Sequence, residues 1–199
     1  NTCGFNANWF GSEDANLQVF DDSKNTAIKA NNLRSHIDLA LREGFFSSNG
    51  SNSFVEFPAN KYISYIDKLR WDMDDELFTL GDEAASVGNL TKFISYHPHQ
   101  DSLSFESRTA SYSLKDYIIN TKGVDKILVA DAIIVPDSGV VIVAKNAVIK
   151  TLSNARILAD DLAEYHIFTN AIVDIKTAHK YTASGNYTYK DAMRNEQQI

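Results

Sequence analysis

The stretch that most constrains this chain runs from Val124 to Lys150, VDKILVADAIIVPDSGVVIVAKNAVIK. It is the longest apolar region, and it is broken at Pro136-Asp137-Ser138-Gly139. Val and Ile dominate both arms, as strands buried on at least one face require. The break carries turn chemistry: Pro136 fixes φ, Asp137 or Ser138 can bond its own backbone, and Gly139 accepts a positive φ. The pattern predicts a central β-hairpin with arms of about nine residues.

A chain of 199 residues with 44% hydrophobic and 23% charged side chains is long enough for one well-buried domain and is not composed like a disordered one. The net charge of −7 argues against a protein that coats nucleic acid by counterion release, so nucleic-acid contact is not indicated. Cys3 is the only cysteine, which excludes an intrachain disulfide and a cysteine-based zinc site. Asp131, Pro136 and Asp137 interrupt the best apolar run, so no segment reads as a membrane span, and no signal-peptide pattern occurs. The first residue is Asn1 rather than Met, which reads as a processed product or a fragment. Three N-x-S/T triplets, at Asn49, Asn89 and Asn186, are expected by chance in a chain this rich in Asn and Ser.

Residues 1–24, rich in Asn, Asp, Gly and Ser with scattered aromatics, read as an extended N-terminal arm whose aromatics, Phe5, Trp9 and Phe10 among them, dock either on this domain or on a neighbouring subunit. Asn31 or Asn32 caps a predicted helix through Glu43, with Leu33, Ile37, Ala40 and Leu41 on one face and His36, packed or solvent-tipped, beside it. From Phe54 to Phe105 short β runs alternate with turns, and Trp71 adjoins an acidic cluster of Asp72, Asp74, Asp75 and Glu76 that reads as a solvated turn. Ser113 caps a short predicted helix over LKDYIINT, and Ser153 or Asn154 starts another to about Tyr165. Residues 166–182 return to β character, and 189–199 form a polar C-terminal tail. No internal repeat is evident. The expected fold is α+β: one β-rich domain over 25–188, with the hairpin, two or three amphipathic helices and extended arms.

Two constellations could carry chemistry. His97-Pro98-His99-Gln100-Asp101 is an H-x-H-x-D string, in which His97, His99 and Asp101 could share a metal. It resembles the opening of the metallo-β-lactamase zinc motif, but Ser102 stands where that family has its next histidine. The alternative is a polar turn between strands. Pro136-Asp137 followed by Asp174-Ile175-Lys176 resembles the PD-(D/E)xK nuclease pattern. There, two carboxylates hold Mg²⁺ and the lysine orients the attacking water. Asp137, Asp174 and Lys176 would take those roles, although Asp137 falls in what reads as a tight turn. No phosphate loop, dinucleotide fingerprint or nucleophile elbow occurs.

A further likeness spans about half the chain. Residues 61–120, through Lys61-Tyr62-Ile63, Trp71, Gly81-Asp82-Glu83-Ala84-Ala85 and the run Phe105 to Ile118, resemble the extended-loop region of tailed-bacteriophage major capsid proteins. Gly123-Val124-Asp125 to Ala132 is similar to a strand in that family's later half. Between the two parts the family carries a long helix and a lobed domain, for which this chain has only a few residues. The resemblance implies a non-enzymatic structural subunit of a virion or similar assembly, without cofactors. It would contact copies of itself or other structural subunits, with hot spots at Phe5, Trp9, Phe10 and Trp71. A Mg²⁺-dependent nuclease and a surface or extracellular binding module are the alternatives.

Overall fold

The computed structural model describes residues 3–50, 52–84, 90–159, 166–190 and 196–198. They are almost wholly β, in nineteen antiparallel strands. No helix of seven residues or more is present among the described residues.

The pairings resolve into two ladders. Ladder I runs outward from β3 (Thr26–Asp38) through β4 (Glu43–Ser48), β7 (Lys68–Asp72), β8 (Leu77–Gly81), β11 (Thr109–Ser113), β12 (Ile118–Lys122) and β15 (Val141–Val143). Ladder II runs from β3 through β5 (Phe54–Phe57), β6 (Tyr62–Tyr65), β9 (Thr91–Ser95), β10 (Ser104–Ser107), β13 (Ile127–Val129), β14 (Ala132–Val135) and β16 (Leu152–Leu158). The chain lays a hairpin in one ladder, crosses, and lays the next in the other. Strand β3 joins both, because Lys29–Asn31 pair with β5 while Leu33–Asp38 pair with β4. At the far end β16 pairs with β14, and Ile149, just before β16, bridges to Val143 of β15. The ladders therefore meet at both ends. β1 (Cys3–Phe5) and β2 (Trp9–Phe20) extend the sheet beyond β3. β17 (His166–Thr177), β18 (Lys180–Lys190) and β19 (Glu196–Gln198) extend it beyond β16.

Alternation builds the interior. One inward row of ladder I reads Phe46, Leu69, Leu80, Ala110, Thr121, Val141 across six strands, all buried. Ladder II supplies Val55, Phe57, Tyr62, Phe93, Phe105, Ile127 and Ile134 to the same cluster. The two layers touch where Phe57 meets Tyr112 edge-on, 4.7 Å between centroids. Buried amides tie them: Asn60 Nδ2 donates to Tyr117 O and Val143 O, at 2.8 and 3.1 Å. Gln100 Nε2 donates to Ala147 O at 2.6 Å. Fully burying a Phe or Leu side chain contributes about 1.5–3 kcal/mol, whereas an exposed ion pair contributes at most about 1 kcal/mol. The interior holds the stack together, and ion pairs on its outer faces are marginal to stability.

The α+β expectation is therefore corrected, and each predicted helix has its reason. Leu33 and Ile37 are four apart, but Leu33 and Ser35 are buried and Ile37 half-buried, with Arg34 and His36 exposed between them, so the period is two. Asn32, at φ 57°, marks a bulge between the part of β3 that meets β5 and the part that meets β4, rather than a cap. Ser113 does cap, its Oγ accepting from Asp116 N at 3.2 Å, but it caps a single turn before β12. Leu152–Leu158 is strand β16, with Asn154 at φ 55° in its bulge; the rest of that predicted helix, 160–165, lies outside the described residues. The central hairpin is corrected too. β14 pairs with β13 and β16, while β15 pairs with β12. Pro136–Gly139 does turn the chain, but into the opposite ladder, and Gly139 O accepts from Val124 N at 2.9 Å, beside the preceding crossover.

Candidate functional site

The outer face of ladder I is concave. Its outward side chains fall in two neighbouring rows because β-strand side chains alternate. One row reads Gly11, His36, Phe45, Arg70, Thr79, Ser111, Asn120; the next reads Arg34, Ser47, Lys68, Gly81, Thr109, Lys122. The rows line a groove of about 820 Å³ over β2, β3, β4 and β7, and a hollow of about 500 Å³ over β8, β11 and β12. Thr79 and Gly81 line both, so the two form one continuous surface.

The first part is aromatic and ionic. The Trp9 indole lies across two glycines: a Cβ on Gly4 would sit 2.8 Å from its Cη2, and one on Gly11 3.1 Å from its Cζ3. It stacks beside His36, with centroids 5.8 Å apart and planes at 26°. Phe45 is 45% exposed, and the Arg70 guanidinium stands 5.9 Å from its ring centre. Arg34 pairs with Glu13 at 3.3 Å, Arg70 with Glu43 at 2.5 Å and Lys68 with Asp82 at 3.1 Å. The hydrogen bond that Arg70 donates to Glu43 Oε1 pushes its own pKa further up. The Ala84 amide, then Lys68, hold the Asp82 carboxyl below its ordinary value.

The second part is polar. Thr79, Thr109, Ser111, Asn120 and Lys122 face it, and Asn120 Oδ1 is buried with no hydrogen-bond partner. Gly81 is required at its floor: at φ 79°, an added Cβ would meet Arg108 O at 2.2 Å.

The sequence candidates lie elsewhere, except Trp9. His97 and His99 sit in the β9–β10 loop with centroids 5.7 Å apart, and His97 Nδ1 accepts from His99 N at 3.2 Å. Asp101 is exposed at φ 52°. Gln100 of the same loop is buried, and it also accepts from the Tyr62 hydroxyl at 3.3 Å. Asp137 lies in the 3₁₀ turn and lines a small hollow with Lys150 and Thr151. Asp174 Oδ1 accepts from Thr151 Oγ1 at 2.6 Å, and Lys176 lies two residues further along β17. Among the described residues, no three His, Cys, Asp or Glu side chains group to hold a metal ion. In the acidic cluster, Asp72 Oδ1 accepts from the amides of Asp74 and Asp75, and Asp74 pairs with Arg42. Of the predicted contact residues, Phe5 is 78% exposed and Phe10 pairs with Ile37 in β3. Trp71 packs inward, stacked on Phe78 at 5.2 Å.

Sequence reasoning missed Phe45, Arg70, Thr79 and Asn120 because only strand register brings them into one row. Alternation within each strand gave their shared direction, but no local signal says which strand lies beside which. No helix among the described residues is long and apolar enough to cross a membrane. No protein-family model matches the chain, and no curated protein or solved structure matches it.

Proposed function

We propose that this chain is a non-enzymatic binding module that holds an extended ligand along the outer face of ladder I. The observation that carries this reading is the continuity of the groove and the hollow through Thr79 and Gly81. Concavity, exposed ring faces and a few placed polar groups are the usual marks of a ligand site. The ion pairs there add little to stability, so their concentration on this face suits recognition better than folding. The test is to change Phe45→Ala and Thr79→Val, both outward and away from the core. Each leaves the unfolding midpoint nearly unchanged and weakens ligand capture at least several-fold. Unchanged binding in both variants contradicts the reading.

A second reading is favoured by a specific patch. Leu39 and Leu41 are 54% and 67% exposed on the β3–β4 turn, beside the β1–β2 turn, where Leu39 N donates to Asn8 O. Phe5 adds to the exposed apolar surface at this end. Such a corner suits repeated protein contacts, and a virion subunit is the form of that role implied by the capsid-family resemblance. Light scattering on a sizing column decides it: large assemblies that dissolve in Leu39→Asp/Leu41→Asp support it, and a monomer at every concentration excludes it.

A further inference from the structure

We infer that the ligand of this groove is a neutral oligosaccharide; the inference rests on the reading of the ladder I face as a binding site. Charge supplies the first argument. Arg34, Lys68, Arg70 and Lys122 lie on this face, and four carboxylates accompany them: Glu13, Glu43 and Asp82 in ion pairs, and Glu83 in the lining of the polar hollow. Asp38 and Asp72 share the register row of Glu43, so the face carries no net positive charge. A site for a nucleic acid or another polyanion needs cations that are free to replace counterions, and here the binder would first have to displace carboxylates.

The chemistry of the lining narrows the class further. A wholly apolar chain fits the Trp9 and Phe45 end but not the Thr79, Thr109, Ser111 and Asn120 end, where the threonine and serine hydroxyls would be desolvated without compensation. A peptide captured as an added strand needs an open sheet edge. The floor here is the face of paired strands, whose backbone groups already bond one another. A saccharide fits both ends. Its hydroxyls donate and accept, matching Arg–carboxylate pairs, threonine hydroxyls and Asn120. Its C–H faces pack on the half-buried Trp9 ring, which lines the groove, and on the exposed Phe45 ring. From β2 to β12 the face crosses six inter-strand steps, about 29 Å at roughly 4.8 Å per step. That length takes an oligomer rather than a single sugar.

The experiment titrates the full chain with hexasaccharides of glucose, xylose, mannose and N-acetylglucosamine. A heparin hexasaccharide, an oligothymidylate and an extended neutral peptide serve as the other arms. Trp71→Phe leaves Trp9 as the only tryptophan and its fluorescence as the readout. The expected result is binding of at least one neutral hexasaccharide with little dependence on salt. Binding weakens tenfold or more in Trp9→Ala and several-fold in Asn120→Ala, and calorimetry reads the variant that lacks Trp9. Circular dichroism checks that each variant is folded, and Phe45→Ala gives an independent reading if Trp9→Ala is not. Failure of every neutral hexasaccharide to bind at millimolar concentration overturns the inference. If the heparin, thymidylate or peptide arm binds instead and the same variants weaken it, the ligand class is wrong but the groove remains the site. If no arm responds to the groove variants, the binding reading falls as well.

Discussion

Asn60 shows how a single buried side chain holds the two ladders in register. It is fully buried in the β5–β6 turn, yet both its amide hydrogens serve carbonyls contributed by ladder I, from Tyr117 and Val143. Asn60→Ala strands both acceptors in the interior, and unsatisfied buried groups cost about 1–3 kcal/mol each. A loss of about 2–4 kcal/mol in urea unfolding is expected; a loss below about 0.5 kcal/mol would mean that water replaces the amide. Tyr117 and Asp21 form a second cross-chain tie. The Tyr117 hydroxyl donates to Asp21 Oδ2 at 2.5 Å, which lowers the Asp21 carboxyl, while Asp21 pushes Tyr117 up to about 12. A lowered carboxyl contributes stability that is present above its ordinary range and lost as pH falls through the depressed value. The raised phenol contributes stability that is lost as pH rises towards about 12. In Tyr117→Phe, the Asp21 carboxyl titrates at higher pH by NMR, and stability falls less steeply with acid than in the parent. An unmoved Asp21 titration contradicts the tie. Neither residue was legible as important in the sequence, because their partners lie 57, 83 and 96 positions away.

At the scale of the element, strands were legible wherever apolar residues alternate, as in FVEF, LFTL and KFISY, and their alternation decided which face is buried. Turns were not. Several tight turns place a non-glycine residue in the left-handed region: Arg42, Lys61, Glu76, Tyr117 and Ala130 have φ between 54° and 58°. Readers of turn chemistry look for Gly, Asn or Asp at such positions, so these breaks passed unmarked, and strand β3 with its following turn took on helical spacing. Glu76 in the exposed β7–β8 turn tests this account. Glu76→Gly relieves the left-handed cost and raises stability by about 0.5–1 kcal/mol, while Glu76→Ile lowers it by about 1–2 kcal/mol. Thermal unfolding of the two variants reads the sign directly, and the opposite order would contradict the assigned conformation. The Pro136–Gly139 segment carries the complementary lesson: its residues specify a turn, but nothing local specifies whether a turn closes a hairpin or crosses to the other layer.

At the scale of the molecule, no internal repeat is visible in the sequence because what recurs is a placement, a hairpin laid alternately in each ladder, filled by unrelated side chains. The same alternation that fills the interior with one row exposes the other, so ladder I gains a continuous outer face whose composition no single segment reveals. Trp9 was legible as a contact aromatic of the N-terminal stretch, and His36 as a residue beside an apolar face. Their meeting with Phe45, Arg70, Thr79 and Asn120 required the register of seven strands. Amide chemical-shift mapping of the ¹⁵N-labelled chain during titration with the pooled neutral hexasaccharides locates the ligand on the sheet. Shifts are expected to concentrate on Arg34–His36, Phe45–Ser47, Lys68–Arg70, Thr79–Gly81, Thr109–Ser111 and Asn120–Lys122, with ladder II unmoved. Shifts confined to β5, β6, β9 and β10, or none at all, would contradict this placement.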